Sequence, residues 1–429
     1  LNRDDMMSME DWAVLGMDLG MRFTGTSALS LDDGMTIPPG TEQGDRYAQL
    51  VMRARHRQIS LEMEYNLTRD HSLNFAQLER VSAAIQNYKL NMHKLDFVDQ
   101  IEQYIAQVDA PHLDLFIVDE AQDLTPLQWE MVRKIAEHAD RVVIAGDDDQ
   151  AIHRWTGVDV NRFLGASPNY RVLNQSYRMP RSVHKLSQDI VRRISNRREK
   201  QFDPTERDGR VDFLMNEHEL DLTEGSWTLM ARTNRKMHSW AEQLRADGYL
   251  YSKKGKSSIN RDMAEVVVSW RQLQRGGALT YPQVLHLYDN VPKMGDAAVV
   301  KRGSRKLLDA ASPEAMLTYD TLVGEYGMIA PLEREAYDVA RMGKDTKNYV
   351  RAIERRGEDI LAEPRIKVST FHGMKGGEDD NCAVSLESTW ACVNTDHPDD
   401  EHRAMYVGVT RARNKLCLID TDSKYRYSI

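Results

Sequence analysis

Two short apolar runs in this chain end in carboxylates. In open α/β sheets, the carboxyl ends of neighbouring strands are where ligands bind. The first run, LDLFIVDE (113–120), ends in Asp119 and Glu120; the second, RVVIAGDDDQ (141–150), ends in Asp147, Asp148 and Asp149, followed by Gln150. A carboxylate in the first position can hold a magnesium ion bound to nucleotide phosphates, and its neighbour can orient and deprotonate an attacking water. A bare Asp-Glu pair is by itself more simply a solvated strand end. Two adjacent acid-tipped strands shift the balance, because they repel unless a cation or a bound nucleotide offsets the charge. Gln150 adds an amide able to sense a terminal phosphate without adding charge. His153, Arg154 and Trp155 follow. An aromatic beside cations suits a stacked base with its phosphate held nearby; plain core is the alternative for Trp155.

The elements that must position these residues can be read from the pattern. The helix expected over 126–139 (PLQWEMVRKIAEHA) joins the two apolar runs into a strand–helix–strand unit, with both strands expected to be buried and parallel. A second set follows: a strand at 170–178, a long helix over 180–197, a strand at 227–234 and a helix over 235–248. Residues 262–360 read as a helical insertion, after which strand texture returns at 366–372, 381–387 and 415–420. Upstream, residues 1–112 are helical in tendency. Apolar steps at Phe75, Leu78, Val81 and Ile85 mark helices over 75–108, and DDGMTIPPGTEQG (32–44) reads as a loop.

Composition narrows the class. The chain has 429 residues, 57 Lys+Arg against 66 Asp+Glu and a formal charge of −9, so it is not coated in basic surface, although a local basic groove remains open. The best candidate is 171–200, where nine cations (Arg171, Arg178, Arg181, Lys185, Arg192, Arg193, Arg197, Arg198 and Lys200) face only Asp189 and Glu199. This is either a phosphate-facing stripe or a solvated helix face. Three scattered cysteines (Cys382, Cys392, Cys417) exclude a disulfide framework and a metal cluster. No apolar run is long enough to span a bilayer and no signal-peptide pattern opens the chain. The expectation is therefore a cytoplasmic protein, nucleoid-associated or phage-encoded, with no membrane partner.

Five segments together are more specific. DEAQD (119–123), GDDDQAIHRWTG (146–157), LNQSYRMP (173–180), VSTFHGMKGGE (368–378) and EHRAMYVGVTRAR (401–413) resemble motifs II through VI of superfamily 1 helicases of the UvrD/Rep branch. They occur in the family's order, over about 113–265 and 362–420. The resemblance implies an α/β fold of two RecA-like, P-loop NTPase-type domains with helical insertions. It also implies an ATP hydrolase using ATP and Mg2+ to move 3′ to 5′ on single-stranded DNA and to open single-strand/duplex junctions. Asp119 would hold the metal, Glu120 would activate water, and Gln150 would couple the terminal phosphate to the DNA side. Trp155, beside His153, would stack a base. Tyr177 would lie against adenine, Glu378 would meet the ribose, and Arg178 and Arg411 would reach the γ-phosphate. Arg232 and Asn234 (in MARTN) would face DNA, and His372 and Lys375 would face DNA or bridge DNA to nucleotide. The two arginines lie about 230 positions apart, so only folded structure can bring them to one phosphate. The planar, permanently charged guanidinium suits that task.

The departures matter as much. No G-x-x-x-x-G-K-[ST] phosphate loop precedes Asp119. Gly255-Lys256-Ser257 has Leu250 where the first glycine belongs and reads as a polar turn; Gly343-Lys344 is followed by Asp345. The expectation is a first domain (1–112 partial, 113–170) that is N-terminally incomplete, in keeping with Leu1 in place of Met. A missing segment or a partner would then supply the loop. The second domain is expected at 171–261 and 361–429, around the insertion. A catalytically inactive helicase-like DNA-binding or regulatory module is the rival reading. His153 stands where the family has tyrosine and Gly377 where it has leucine. The insertion is shorter than the family's accessory subdomain.

Overall fold

The computed structural model describes residues 5–24, 42–68 and 72–429. Most of the expected loop at 32–44 lies outside them, and its last two residues open the helix Gln43–Arg57. The fold is mixed α/β. In chain order the strands are β1 (Phe116–Val118), β2 (Val142–Ile144), β3 (Arg210–Leu214), β4 (Trp227–Ala231), β5 (Tyr251–Lys253), β6 (Lys256–Ser257), β7 (Leu279–Thr280), β8 (Met316–Leu317), β9 (Ile366–Thr370), β10 (Asp379–Ser385) and β11 (Ala412–Ile419). Parallel pairing joins β1 to β2, β3 to β11, β11 to β10, and β5 to β9. The β5–β6 and β7–β8 pairs are antiparallel. The chain divides into two compact units: Leu1–Asp221 with Met230–Lys236 and Thr370–Ile429, and Leu222–Leu229 with Met237–Ser369.

The first unit begins with helices. Met9–Leu19 starts at a Ser8/Asp11 capping box and ends at Gly20, whose φ of 65° needs no Cβ penalty. The helical stretch expected over 75–108 is two helices, Phe75–Met92 and Phe97–Gln107. His93, at φ 52°, ends the first, and an Asp96/Asp99 capping box starts the second. Leu78, Val81 and Ile85 form the buried stripe that their spacing predicts, packed with Trp12, Leu15, Tyr47 and Leu50.

The helix Pro126–Ala136 joins β1 and β2. Thr125 caps it in a box with Gln128, and Pro126 sits at its first position, where a missing N–H costs nothing. The two strands are shorter and more open than their apolar runs predict. Phe116, Val118 and Ile144 pack with Trp129, Val132 and Phe163, whereas the cross-strand neighbours Ile117 and Val143 are exposed, Ile117 by 60%. The reason is topological: among the described residues β1 and β2 pair only with each other. Parallel strands normally lie inside wider sheets covered on both faces.

The larger core of this unit lies around β3, β10 and β11. Val183 and Ile190 from the helix Arg181–Val191, and Met405 and Val407 from Pro398–Val409, close on Cys382, Val384, Leu416 and Leu418. Two expectations are corrected here. The strand predicted at 170–178 is an extended segment holding a single bridge, Gln175 to Asp203, and its Leu173 is 86% exposed. The helix predicted to run to 197 stops at Val191. Beyond it the Asp399 carboxylate accepts hydrogen bonds from the Ser195 and Asn196 amides at 3.0 and 2.9 Å, and the chain turns inward.

The second unit contains the whole of the expected insertion, built on the helices Arg261–Gln274, Tyr281–Asn290 and Lys344–Arg355. Gly255-Lys256-Ser257 falls in the β5–β6 hairpin, with Lys254 and Gly255 at φ 50° and 76°. It is an exposed turn, as expected. No helix among the described residues is long and apolar enough to cross a membrane.

Candidate nucleotide and nucleic-acid site

All the candidate residues belong to the first unit. Asp119 and Glu120 follow the C-terminal end of β1. Glu120 adopts φ 51°, ψ 36°, a left-handed conformation that costs a non-glycine residue free energy and that clusters at functional sites. The turn is braced by the Glu120 amide, which donates to Asp119 Oδ1 at 2.9 Å. Gln122, to which the sequence reading assigned no role, ties this turn to the next strand end. Its amide donates to the Glu120 carboxylate, and its Oε1 accepts from the Asp147 amide at 2.9 Å. A Cβ on Gly146 would lie 2.4 Å from that Oε1, so the close approach requires glycine.

The two groups of acids do different work. Asp119 is exposed, and no ion pair holds it among the described residues. Asp148 and Asp149 are buried and paired. Arg197 grips Asp149 through two bonds of 2.7 and 2.6 Å. Lys200 Nζ reaches Asp147, Asp148 and Asp149 at 2.7, 2.6 and 3.0 Å. Burial alone would raise the Asp147 carboxyl, but Lys200 and the Gln150 amide hold it below its ordinary range. The repulsion foreseen between acid-tipped strands is thus offset from within. Part of the 171–200 basic run supplies the cations, so Arg197, Arg198 and Lys200 are neither a phosphate-facing stripe nor a solvated face. Arg198 donates to the Leu164 and Ser167 carbonyls and lies over the Tyr170 ring.

Of these acids, Asp119 is the one that could hold a metal. An exposed carboxylate with an oxygen to spare fits magnesium, which keeps much of its water and takes one or two carboxylates plus phosphate oxygens. The described residues that bring three metal-capable groups together lie at the opposite, N-terminal end of the two strands: exposed His112, Asp114 and Asp140.

Arg411 has both Gln150 and Arg178 for neighbours. Arg411 is only 1% exposed. It donates to the Val407 carbonyl at 2.8 Å, to Thr410 Oγ1 at 2.8 Å, to the Gly377 carbonyl at 3.3 Å and to Gln150 Oε1 at 3.1 Å. Burial, and after it the like charge of Arg178, pulls its guanidinium down to about 10. The buried Arg178 Nε has no hydrogen-bond partner among the described residues, and a Glu378 carboxylate oxygen lies 3.9 Å away. A buried guanidinium depressed by the like charge of its neighbour marks a place suited to an anion. Glu378 hydrogen-bonds Arg413, which, with Arg178 and Arg411, holds its carboxyl below the ordinary range. Tyr177 presents its ring to solvent at 88% exposure, open to a stacking partner.

The residues assigned to DNA are placed unevenly. His153 lies 6.2 Å from Trp155 and 6.0 Å from His372, ring centre to ring centre, so these three rings form one group. Trp155 is half-buried, packed against the core of the N-terminal helices, and its Nε1 lacks a hydrogen-bond partner among the described residues. Lys375 points to the strand ends, where it pairs with Asp123 and donates to the Gln150 carbonyl at 2.8 Å. Arg232 is buried in a bidentate pair with Glu401 at 2.8 and 2.7 Å, and Asn234 opens the helix Asn234–Ala246.

The chain is similar in sequence to known proteins. Residues 25–171 match the model of the UvrD/REP helicase N-terminal domain. The ATP-dependent DNA helicase PcrA of Bacillus subtilis is 25% identical over 222 residues, 50% of this chain and 27% of that protein. PcrA of Staphylococcus aureus is 25% identical over 359 residues, 82% of this chain and 38% of its own length. A probable DNA helicase II homologue of Mycoplasma capricolum is 26% identical over 164 residues, 35% of this chain and 22% of that protein. The chain therefore spans between about a fifth and two-fifths of the length of these relatives.

Proposed function

We propose that this chain, which is of the superfamily 1 UvrD/Rep type, is the ATP-hydrolysing motor of a DNA helicase that travels 3′ to 5′ on single-stranded DNA and opens single-strand/duplex junctions. The observation that carries the reading is the buried Arg411, held by Gln150 and depressed by burial and by Arg178: it wants a polyanion between the guanidiniums. A γ-phosphate there would be met by Arg178 and Arg411 as two charge-assisted forks. Glu120 would take the proton of the attacking water, and Asp119 would hold magnesium, which supplies charge neutralisation at the phosphates. Tyr177 would stack on the adenine and Glu378 would receive the ribose. Gln150 touches Arg411, and Lys375 touches Gln150, so loss of the phosphate would be felt along a bonded path toward His372, His153 and Trp155, the rings proposed to face DNA. Arg232 and Asn234 would join that face only if the Arg232–Glu401 pair opened.

The domain reading that goes with this is a first RecA-like half at 113–170 preceded by 1–112, a second at 171–261 and 361–429, and an insertion at 262–360. The phosphate cradle is the part this chain does not supply. The exposed Ile117 and Val143, on strands that among the described residues pair only with each other, favour a further strand beside them, bearing that cradle and brought by a missing segment or a partner. The same observation favours the rival reading, a helicase-like DNA-binding or regulatory module without turnover. DNA-stimulated ATP hydrolysis decides between them, measured on the chain alone and joined to a strand-and-phosphate-loop segment. Stimulated turnover in the joined protein supports the motor; DNA binding without turnover in either form leaves the module.

A further inference from the structure

Gln150 is an amide held between opposite charges. Its Nε2 donates to Asp147 Oδ2 at 2.8 Å, and its Oε1 accepts from Arg411 at 3.1 Å. A guanidinium only donates and an ionised carboxylate only accepts, so the reversed amide would set like poles together at both ends. Asp147 cannot hold this polarity alone: it stands in a run of three acids, and its carboxylate must stay ionised beside Asp148 and Asp149. Lys200 meets that need. Its ammonium lies 2.7 Å from Asp147 Oδ1, the oxygen not used by Gln150, and also reaches Asp148 and Asp149. The Asp147 carboxyl is held low and the Lys200 ammonium high, in keeping with a pair that is charged at both ends.

We infer that Lys200, acting through Asp147, is a positioning residue that sets the orientation of the Gln150 amide toward Arg411. The chain of contacts is linear: ammonium to carboxylate, carboxylate to amide N–H, amide oxygen to guanidinium. Lys200 lies 50 positions from Gln150, past the end of a helix, and its local sequence marks it only as one of nine cations. In the absence of phosphate, the Gln150 oxygen occupies one donor of Arg411. When a phosphate oxygen takes that donor, the amide stays tethered to Asp147 and its oxygen is freed in a defined direction. Lys200 therefore fixes where the oxygen of Gln150 points, without touching nucleotide. The inference deepens the proposed motor reading and rests on it for its catalytic consequence; the amide geometry itself does not.

The test uses the full chain with Lys200→Gln, Lys200→Arg and Gln150→Ala. With glutamine labelled by 15N, the side-chain amide of Gln150, assigned by its loss in Gln150→Ala, is followed by NMR. Its carboxylate-bonded proton should move upfield in Lys200→Gln and return in Lys200→Arg. An unmoved resonance in a Lys200→Gln protein that keeps its far-UV circular dichroism overturns the inference. In the form joined to a phosphate-loop segment, Lys200→Gln should lower kcat at least tenfold with KM for ATP changed by less than twofold. Adding it to Gln150→Ala should cost nothing further. Independent, multiplying losses would show that Lys200 does not act through Gln150. If the joined protein has no turnover, the motor reading fails and the amide resonance still decides the positioning claim.

Discussion

Replacing Arg197 by Met tests whether the acids after β2 are stabilised from within the protein. Asp149 is almost wholly buried and receives two Arg197 bonds of 2.7 and 2.6 Å, with Lys200 Nζ 3.0 Å away as its second cation. Removing one partner of a buried pair costs roughly 3 to 5 kcal/mol, because the remaining charge is left uncompensated. Lys200 stays in place and keeps part of the compensation, which brings the expected cost of Arg197→Met to about 2 to 3 kcal/mol. For an m-value near 3 kcal/mol per molar urea, the midpoint should fall by roughly 1 M. The double variant Arg197→Met/Asp149→Asn removes the stranded charge as well and should recover at least about 1 kcal/mol of the loss. Urea titrations followed by circular dichroism give both numbers. A single-variant cost below about 1 kcal/mol, or a double variant whose losses simply add, would refute the account of Asp149 as a carboxylate held by Arg197.

Four further outcomes follow from the same geometry. Glu120→Gln should leave nucleotide binding within a few fold and reduce ATP hydrolysis at least about a hundredfold in the joined motor; undiminished turnover removes Glu120 as the base. Gly146→Ala puts a methyl group 2.4 Å from Gln122 Oε1 and against the Phe163 ring, and should cost about 1 to 3 kcal/mol in urea titrations, where a neutral result would contradict the packing. Trp155→Ala should weaken single-stranded DNA binding by roughly 1 to 3 kcal/mol in a fluorescence titration; unchanged affinity with lowered stability would assign the ring to the core alone. Asp147, Asp399 and Glu401 all have carboxyls held below their ordinary values in the fold. The stability they contribute is complete above the unfolded carboxylate range near pH 4 and is lost as pH falls through their lower folded values. A stability profile flat from pH 5 to pH 2 would contradict those pairings.

Much of the candidate site was legible because its residues cluster in short segments. Asp119 and Glu120 at one strand end, Gln150 after the next, and Arg178 and Arg411 far apart were all marked by type and position. The stripe of Leu78, Val81 and Ile85 was marked by period. Other features were not legible, because their partners are distant in sequence. Gln122 stands beside two assigned residues of its motif, and its bond to the Asp147 amide exists only once β1 and β2 pair. Glu401 and Arg232 are 169 positions apart. The helix expected through 197 stops at Val191, and the carboxylate that holds the segment beyond it, Asp399, arrives from the far end of the chain.

The sequence alone determined which groups of this protein can do chemistry, the α/β alternation that carries them and the absence of a phosphate loop before Asp119. These depend on residue type, on apolar period and on short spacings, all of which are local. The tertiary structure decided which charges are available. Nine cations in thirty residues looked like one basic surface, yet Arg197 and Lys200 turn inward to neutralise Asp147, Asp148 and Asp149, while Arg178 lies close enough to the buried Arg411 to depress it. Two groups of equal charge become opposite in role because one is folded onto acids and the other is folded against its own kind. Charge is written in the sequence, but its compensation depends on distance, and distance is set by the fold.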